Sequence, residues 1–441
     1  MVWVGAVKDY DVVIIGGGFA GITAARELTS RGLRSVILEA RNRLGGRTLT
    51  REFAGVSIEL GGGSIHWSQP HVWSELVRYG LKIKSDRAPN PRVWLRSCGL
   101  GDASAIERAS SIVAQQLPVL FCEGASIVRP YDRNWHWPLE NVDRITVQDR
   151  IDELDLPLDC KEFLSAIVSS SCSAPCSEVS LLWIQHAFAL ANWNTRTLVE
   201  ALEGYCLDDG MSALLDAMRA SSSTSTDIRL STTVVSINQS TSGVSVRTNS
   251  GVVFSAKAAV VTVPINALSR IAFSPPLRPE KTDLSLERHA GCGFKFWALL
   301  ANVDPTFAAI ATVGPISQIT SQCTTAEGTV VAAFGQDARC FDIGSRTAVE
   351  ENIRAFVPKA RVIDVMFHDW TLDPLSEGTW AAPRPGQISR YLYESQEAEG
   401  RLFFAGGDIA VGWLGTIDGA IESGLRAADE LSRALAKSKN S

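Results

Sequence analysis

The stretch from Val12 to Thr48, VVIIGGGFAGITAARELTSRGLRSVILEARNRLGGRT, decides the fold. An apolar run, Asp11 to Ile15, leads directly into Gly16-x-Gly18-x-x-Gly21, which opens the helical spacing Ala20, Ala24, Ala25, Leu28. Each glycine has a mechanical reason. Gly16 permits the tight strand-to-helix turn, Gly18 lets backbone approach a pyrophosphate, and Gly21 lets the helix pack closely on the sheet. The helix N-terminus then offers free amides and the positive end of its dipole to phosphate. Ser35 to Leu38 reads as a second strand, and Glu39 stands at its end, where an acid accepts ribose hydroxyls. The plainer reading of Glu39 is an exposed carboxylate at a strand end. Together these residues predict a βαβ unit built around a dinucleotide.

A second glycine loop follows within a few residues, Gly45-Gly46-Arg47-Thr48. Adjacent glycines let a loop pass close against a ligand, and Arg47 offers forked donors to phosphate oxygen. A plain glycine turn with a surface arginine is the competing reading. Ala40 and Arg41, just after the acid, join the cofactor-facing set. So do Gly62 and Gly63 of a third loop, Gly61-Gly62-Gly63.

GGGFAG, VILEARNRLGGRT and the Gly61 to Gly63 loop resemble the opening of the flavin-dependent amine oxidase family. The resemblance returns near the carboxyl end in RLFFAGGDIAVGWLGTIDGAIESGLRAADEL, similar to the family's closing strand and FAD-binding helix. Within the family, HWSQPHVWSELVRYGL and HDWTLDPLSEGTWAAPRPGQISR look most like the nicotine-oxidising branch. The implied fold is α/β: a Rossmann-like FAD-binding domain, a parallel sheet with helices, interleaved with an α+β substrate domain on a mixed antiparallel sheet.

Composition agrees. At 441 residues the chain exceeds what one core usually supports, so two domains are expected. Hydrophobic content of 45% with 20% charged residues describes an ordinary globular protein. A net charge of -6, with acids and bases mixed along the chain, argues against a nucleic-acid partner. MVWVGAVKDY has neither the basic flank nor the apolar length of a signal peptide, no run reaches membrane-spanning length, and the tail Ala436 to Ser441 is polar. A cytoplasmic protein with no membrane association is expected. Nine scattered cysteines suit reduced thiols better than a disulfide framework. The spacing of Cys172 and Cys176 fits neither a redox pair nor a zinc site, and no metal is expected.

The dinucleotide domain is expected to use residues 1–85, 205–270 and 395–436, and the substrate domain 86–204 and 271–394. The central return begins at Gly210-Met211 with a helical run through Leu214, Leu215 and Met218. It continues through a strand from Thr232 to Asn238, a hairpin at Ser242-Gly243 and a buried run from Ala258 to Val263. Helices are expected around Ser104 to Gln116, Val147 to Leu154 and Val179 to Ala191, and Ser221 to Thr226 reads as a turn. The resemblance puts the backbone near Val235 at the adenine end of FAD; by itself Val235 is an ordinary strand residue.

Lys295 lies in Gly293-Phe294-Lys295-Phe296-Trp297, a strand-like run in which a buried charge needs a partner. By itself it reads equally well as a solvent-facing lysine of a one-sided sheet. By resemblance it is the lysine that reaches flavin N5 through a water. Trp380 matches the first wall of the family's aromatic cage, where an indole face can hold a cation and dry the amine channel. The alternative for Trp380 is a core tryptophan. Two departures from the family stand out. Thr379 occupies the place where monoamine oxidases carry their flavin-linking cysteine, so FAD is expected to bind without a covalent link. Thr416 stands where the second cage wall is usually tyrosine, which leaves the cage half open and suits a bulkier, cyclic or N-methylated amine.

Trp413 either closes part of that gap or packs under the last helix. His66 and Ser64, beside the Gly61 to Gly63 loop, are pocket candidates, and a structural role fits His66 equally well. No motif assigns the residues that hold the pyridine end of the substrate; the neighbourhood of Ser64, Ser170 and Gln318 is where they are looked for. Gly407, Asp408, Thr416 and Ile417 complete the cofactor set. By resemblance Asp408 is the acid that accepts from ribityl or phosphate-side hydroxyls, and the helix start at Ile417 is expected to supply amides. This second site favours FAD over a nicotinamide cofactor. The resemblance implies a small-molecule amine as substrate, best guess (S)-6-hydroxynicotine with nicotine next, and O2 as acceptor with hydrogen peroxide released. An electron-carrier protein is the alternative acceptor, an aralkylamine or polyamine oxidase the alternative enzyme, and a homodimer the expected assembly. A flavin-binding scaffold without turnover is the reading from a different class.

Overall fold

Strand Tyr10–Ile15 is buried along almost its whole length because parallel neighbours flank it on both sides, Val253–Val261 and Ser35–Leu38. Parallel strands covered by helices read as continuous apolar runs, as VVII does here. The structure, a computed structural model, describes residues 10–85, 89–221 and 226–439. From one edge, the sheet containing Tyr10–Ile15 runs Ala272–Ser274, Val234–Gln239, Val244–Thr248, Val253–Val261, Tyr10–Ile15, Ser35–Leu38 and Thr226–Arg229. The late strand Leu402–Phe404 pairs in parallel with the end of Val253–Val261. Segments far apart in sequence thus build one sheet, as the interleaved reading requires. Ala272–Ser274 joins it just beyond the segment ending at 270.

Helix Phe19–Ser30 packs on this sheet beside the long final helix Ile417–Lys439. The closeness is written in glycine. A Cβ on Gly21 would lie 2.1 Å from the Gly16 carbonyl oxygen, and one on Gly424 would lie 2.6 Å from that of Ala20.

The second sheet has the order Arg361–Phe367, Phe294–Ala301, Thr329–Gly335, Gln318–Thr324, Ala308–Ala311, Val93–Arg96 and Gly99–Gly101. Its pairs are antiparallel except Ala308–Ala311 with Val93–Arg96, so it is the mixed sheet expected. One face packs Phe294, Phe296, Ala298 and Leu300 into a core with Val349 and Ile353 of helix Arg346–Arg354. The other face packs on the hairpin Thr50–Phe53 and Val56–Glu59, where Trp297 Nε1 donates to the Glu59 carbonyl at 2.9 Å. Trp370 Nε1 donates to the Leu60 carbonyl at the same distance.

Helices Ala103–Leu120, Val147–Glu153, Leu181–Leu190 and Met211–Ser221 stand where periodicity puts them. Ser221 ends a helix and Thr226 opens a strand, and 222–225 between them lie outside the described residues, as does the segment before Tyr10. Among the described residues no helix is long and apolar enough to cross a membrane. Cys172 and Cys176 are buried, and burial pushes the Cys176 thiol up to about 11, which favours an inert thiol.

Candidate active site

One cavity of about 1440 Å³ runs between the two sheets. That exceeds the roughly 300–1,000 Å³ of an ordinary small-molecule pocket, leaving room for a dinucleotide and a second ligand.

Its cofactor end is a cradle of glycines. Gly16, Gly18, Gly46, Gly62, Gly63 and Gly407 line it, with Ala40, Arg41, Val235, Thr416 and Ile417. Gly18 and Gly46 face each other, so a Cβ on Gly18 would stand 3.8 Å from the Gly46 Cα. Gly21 is absent from the lining and does the packing work expected of it. Glu39 is buried at the rim; its Oε2 accepts from the Gly17 amide and its Oε1 from the Arg41 amide, each at 2.7 Å. The strand-end acid is therefore held rigid by the backbone of the turn it serves.

Arg43 explains the shape of the second glycine loop. Its Nη1 donates to the Leu44 and Thr48 carbonyls and its Nη2 to the Gly46 carbonyl, all at 3.0 Å. Burial and the neighbouring Arg41 lower its pKa to about 10, still far above neutrality. The sequence reading passed over it, although an arginine two residues before a Gly-Gly turn is a signal that could have been used.

Arg47 lines the cavity, but its fork is largely engaged: Nη2 meets Asp408 Oδ1 at 2.5 Å and Nη1 donates to the Thr379 carbonyl at 2.7 Å. Asp408 itself does not line the cavity among the described residues. Its Oδ2 accepts from the Ile265 amide at 2.9 Å. From outside the cavity lining it braces Arg47, which does line the cavity.

The fit to a flavin dinucleotide rests on this cradle. Backbone approaches that only glycine allows, a held acid at one end and the starts of two helices, at Phe19 and Ile417, converge on one elongated space. Thr379 Oγ1 and Glu59 Oε2 are buried oxygens without a partner on its wall, available to whatever fills it.

At the other end, Lys295 enters from strand Phe294–Ala301, its Nζ 5.4 Å from the ring centroids of both Trp297 and Phe334. Trp380 and Thr416 line the same cavity. Gly415 brings them together, since its φ of +83° and missing side chain let the Thr416 loop pass against Ala381; a Cβ there would be 2.8 Å from the Ala381 carbonyl oxygen. The Thr416 hydroxyl donates to the Trp413 carbonyl at 2.7 Å and accepts from the Gly419 amide at 3.2 Å. It caps the last helix and presents no aromatic wall.

Two candidates fall elsewhere. Trp413 is buried in the core under the loop, its Nε1 donating to the Ser68 carbonyl at 2.9 Å. His66 is fully buried beside Trp67 and Tyr205, with Nδ1 2.8 Å from Ser68 Oγ. Burial lowers its pKa against the pull of Glu200. Neither lines the cavity, because the chain turns both side chains behind the backbone that does. Ser64 does line it, as do Ser170 and Gln318.

Glu59, Trp297 and Phe334 were missed. Trp297 stands two residues from Lys295, and strand alternation alone puts it on the same face. Glu59, an acid in an apolar strand beside the Gly61 to Gly63 loop, accepts from the Met211 amide and the Thr50 hydroxyl at 2.7 Å. Burial raises its pKa, while those two donors and the Lys295 charge oppose the rise.

Comparison with known proteins agrees with this geometry. Residues 19–432 match the family model described as flavin containing amine oxidoreductase. The chain is 37% identical to a pseudooxynicotine dehydrogenase from a Pseudomonas species, over 98% of this chain and 88% of that protein. It is 31% identical to the (S)-6-hydroxynicotine oxidase of Paenarthrobacter nicotinovorans, over 94% of this chain and 97% of that protein. Among solved structures, putrescine oxidase bound to putrescine superposes with a TM-score of 0.81 at 20% identity, covering 97% of this chain and all of that one, a likeness of fold. A match along nearly the whole chain, over a cavity built for a dinucleotide, makes this protein a member of the flavin-containing amine oxidoreductase family.

Proposed function

We propose that this enzyme is an FAD-dependent oxidoreductase that oxidises the C–N bond of a pyridine-bearing amine of the nicotine-catabolic class. The observation that carries the reading is the meeting, in one cavity with the glycine cradle, of Lys295 and Trp297 from the second sheet with Trp380 and Thr416 from the loops. Bound there, FAD supplies the hydride acceptor, and the protein supplies positioning and electrostatics.

The residues would divide the work as follows. Trp380 and the small Thr416 bound the amine, leaving room for an N-methyl or ring substituent. Trp297 and Phe334 keep the site dry, which selects the neutral amine, so no catalytic base is needed. Lys295 holds a water at the reacting end. Loss of hydride from the α-carbon leaves an iminium product, which hydrolyses or tautomerises afterwards. Glu39 would hold a ribose of FAD and the amides at the helix starts, Phe19 and Ile417, would meet its phosphates and flavin, with Arg47, braced by Asp408, beside them. Thr379 offers no thiol beside Trp380, so the cofactor is held without a covalent bond.

The sequence reading favoured (S)-6-hydroxynicotine, then nicotine; the 37% identity to a pseudooxynicotine dehydrogenase adds the open-chain amine to that pair. One relative is named an oxidase and the other a dehydrogenase, so O2 and an electron-carrier protein both stand as acceptors. Turnover with each of the three amines, followed by oxygen uptake, peroxide and product mass, tests the reading. Oxidation of a pyridyl amine supports it; turnover of simple alkylamines or polyamines alone would replace it with the aralkylamine or polyamine reading. Product formed only when a carrier such as cytochrome c is added would assign the acceptor to a protein.

A further inference from the structure

Strand register places Lys295 opposite Phe334, and Phe334 opposite Gln318, in one row across three strands of the second sheet. Directly opposed residues of antiparallel strands project to the same side. All three line the cavity. The next row on that face is Trp297, Ala332 and Thr320, also cavity-lining, and the small Ala332 leaves a trough between the larger side chains. Lys295 and Gln318 are two strand spacings apart, about 10 Å. The row therefore has a charged end, a flat apolar middle and a neutral polar end.

The polar end has a defined sense. Ser170, on helix Leu158–Cys172, donates its hydroxyl to Gln318 Oε1 over 3.5 Å. With its oxygen turned to Ser170, Gln318 has its amide N–H groups to offer the cavity. That is a donor without charge, suited to a neutral acceptor.

We propose that Gln318 is the specificity residue for the end of the substrate remote from the reacting C–N bond, donating to an uncharged heteroaromatic nitrogen. Phe334 carries the linker between the two ends. The inference rests on the amine-oxidising reading of this site and deepens it. The preferred substrate has its acceptor ring separated from the oxidised carbon by an extended, largely apolar linker. An open-chain amino ketone such as pseudooxynicotine matches the row. Nicotine, whose two rings are joined directly, is shorter than the row.

The test compares pseudooxynicotine with its phenyl analogue, which has the same length and no ring acceptor, in the flavin-loaded wild type and in Gln318→Leu and Gln318→Glu. The quantity read is the ratio of kcat/KM, pyridyl over phenyl. In the wild type it should be about tenfold or more, the worth of one well-placed hydrogen bond. In Q318L it should fall close to one, and in Q318E below one, because a carboxylate repels a ring nitrogen lone pair. Flavin content shows that each variant is folded. A ratio that stays at the wild-type value in both variants would overturn the assignment of Gln318 while leaving the enzyme an amine oxidoreductase. Failure of every pyridyl amine to reduce the flavin would overturn the reading and this inference together.

Discussion

Arg47 and Asp408 meet at 2.5 Å, joining the glycine loop after the second strand to the loop after the last one, although 361 positions separate them in sequence. Both belong to the cofactor end, and only Arg47 faces the cavity.

Removing that brace should loosen the cofactor. Asp408→Ala leaves Arg47 and the Ile265 amide without their acceptor, a loss of about 3–5 kcal/mol for a broken buried pair. Asp408→Asn keeps an acceptor for Ile265 and should cost less. Burial would raise the Asp408 pKa, but Arg47, His289 and the Ile265 amide outweigh it and hold the carboxyl below its ordinary range. A depressed carboxylate stabilises the fold above its unfolded value of about 3.9, and the contribution is lost as pH falls through the folded value. Melting curves and flavin content of both variants, with acid titration below pH 4, check this.

A second acid sensitivity belongs to the helical layer over the substrate sheet. His136 is fully buried with neither ring nitrogen bonded, and burial lowers its pKa to about 4. His186, stacked on Trp135 at 3.7 Å with Nε2 2.7 Å from the Pro130 carbonyl oxygen, is lowered to about 3. Unfolded histidine takes a proton near pH 6.5, and these two cannot while folded. Stability should therefore be full above that value and fall as pH drops toward 4, by about 1.4 kcal/mol per pH unit for each proton excluded. His136→Phe should flatten the slope by about one proton in melts recorded between pH 5 and 8.

Trp380→Ala should reduce kcat/KM for the amine by about tenfold to a hundredfold, from lost cage contact and admitted water. Flavin content should stay near the wild-type level, because the glycine cradle does not involve Trp380. Trp380→Phe should recover most of the loss. Equal activity in all three would return Trp380 to the core.

How far these sites could be read from sequence depends on how local each constraint is. Gly16, Gly18, Gly21 and Glu39 were legible because a turn, a helix start and a strand end lie within one short segment, and the backbone chemistry dictates the residue types. Lys295 was legible as a residue on one face of a strand, and that face lines the cavity. Asp408 was placed by resemblance, and Trp413 and His66 by proximity in sequence to the right loops, but neither ground says which way a side chain turns. Asp408 turns to Arg47, and Trp413 and His66 turn behind the loop. Phe334 and Gln318 share a row with Lys295 only through pairing between distant strands, and a shift of one residue would send them to the opposite face.

Lys295→Met should separate the two halves of the cycle. Bleaching of the flavin by amine should change little, whereas reoxidation should slow by about tenfold or more if Lys295 holds the water used in that step. Stopped-flow absorbance recorded first without and then with oxygen distinguishes the halves. A variant unchanged in both would remove Lys295 from the reaction.

The central claim is that this cavity oxidises a pyridine-bearing amine on FAD. It is tested most directly by mixing the yellow protein anaerobically with pseudooxynicotine, (S)-6-hydroxynicotine, nicotine and tyramine in turn and following the flavin absorbance. Rapid bleaching by at least one pyridyl amine, and slow or no bleaching by tyramine, is the predicted result. Bleaching by tyramine alone, or by none of the four, would contradict it.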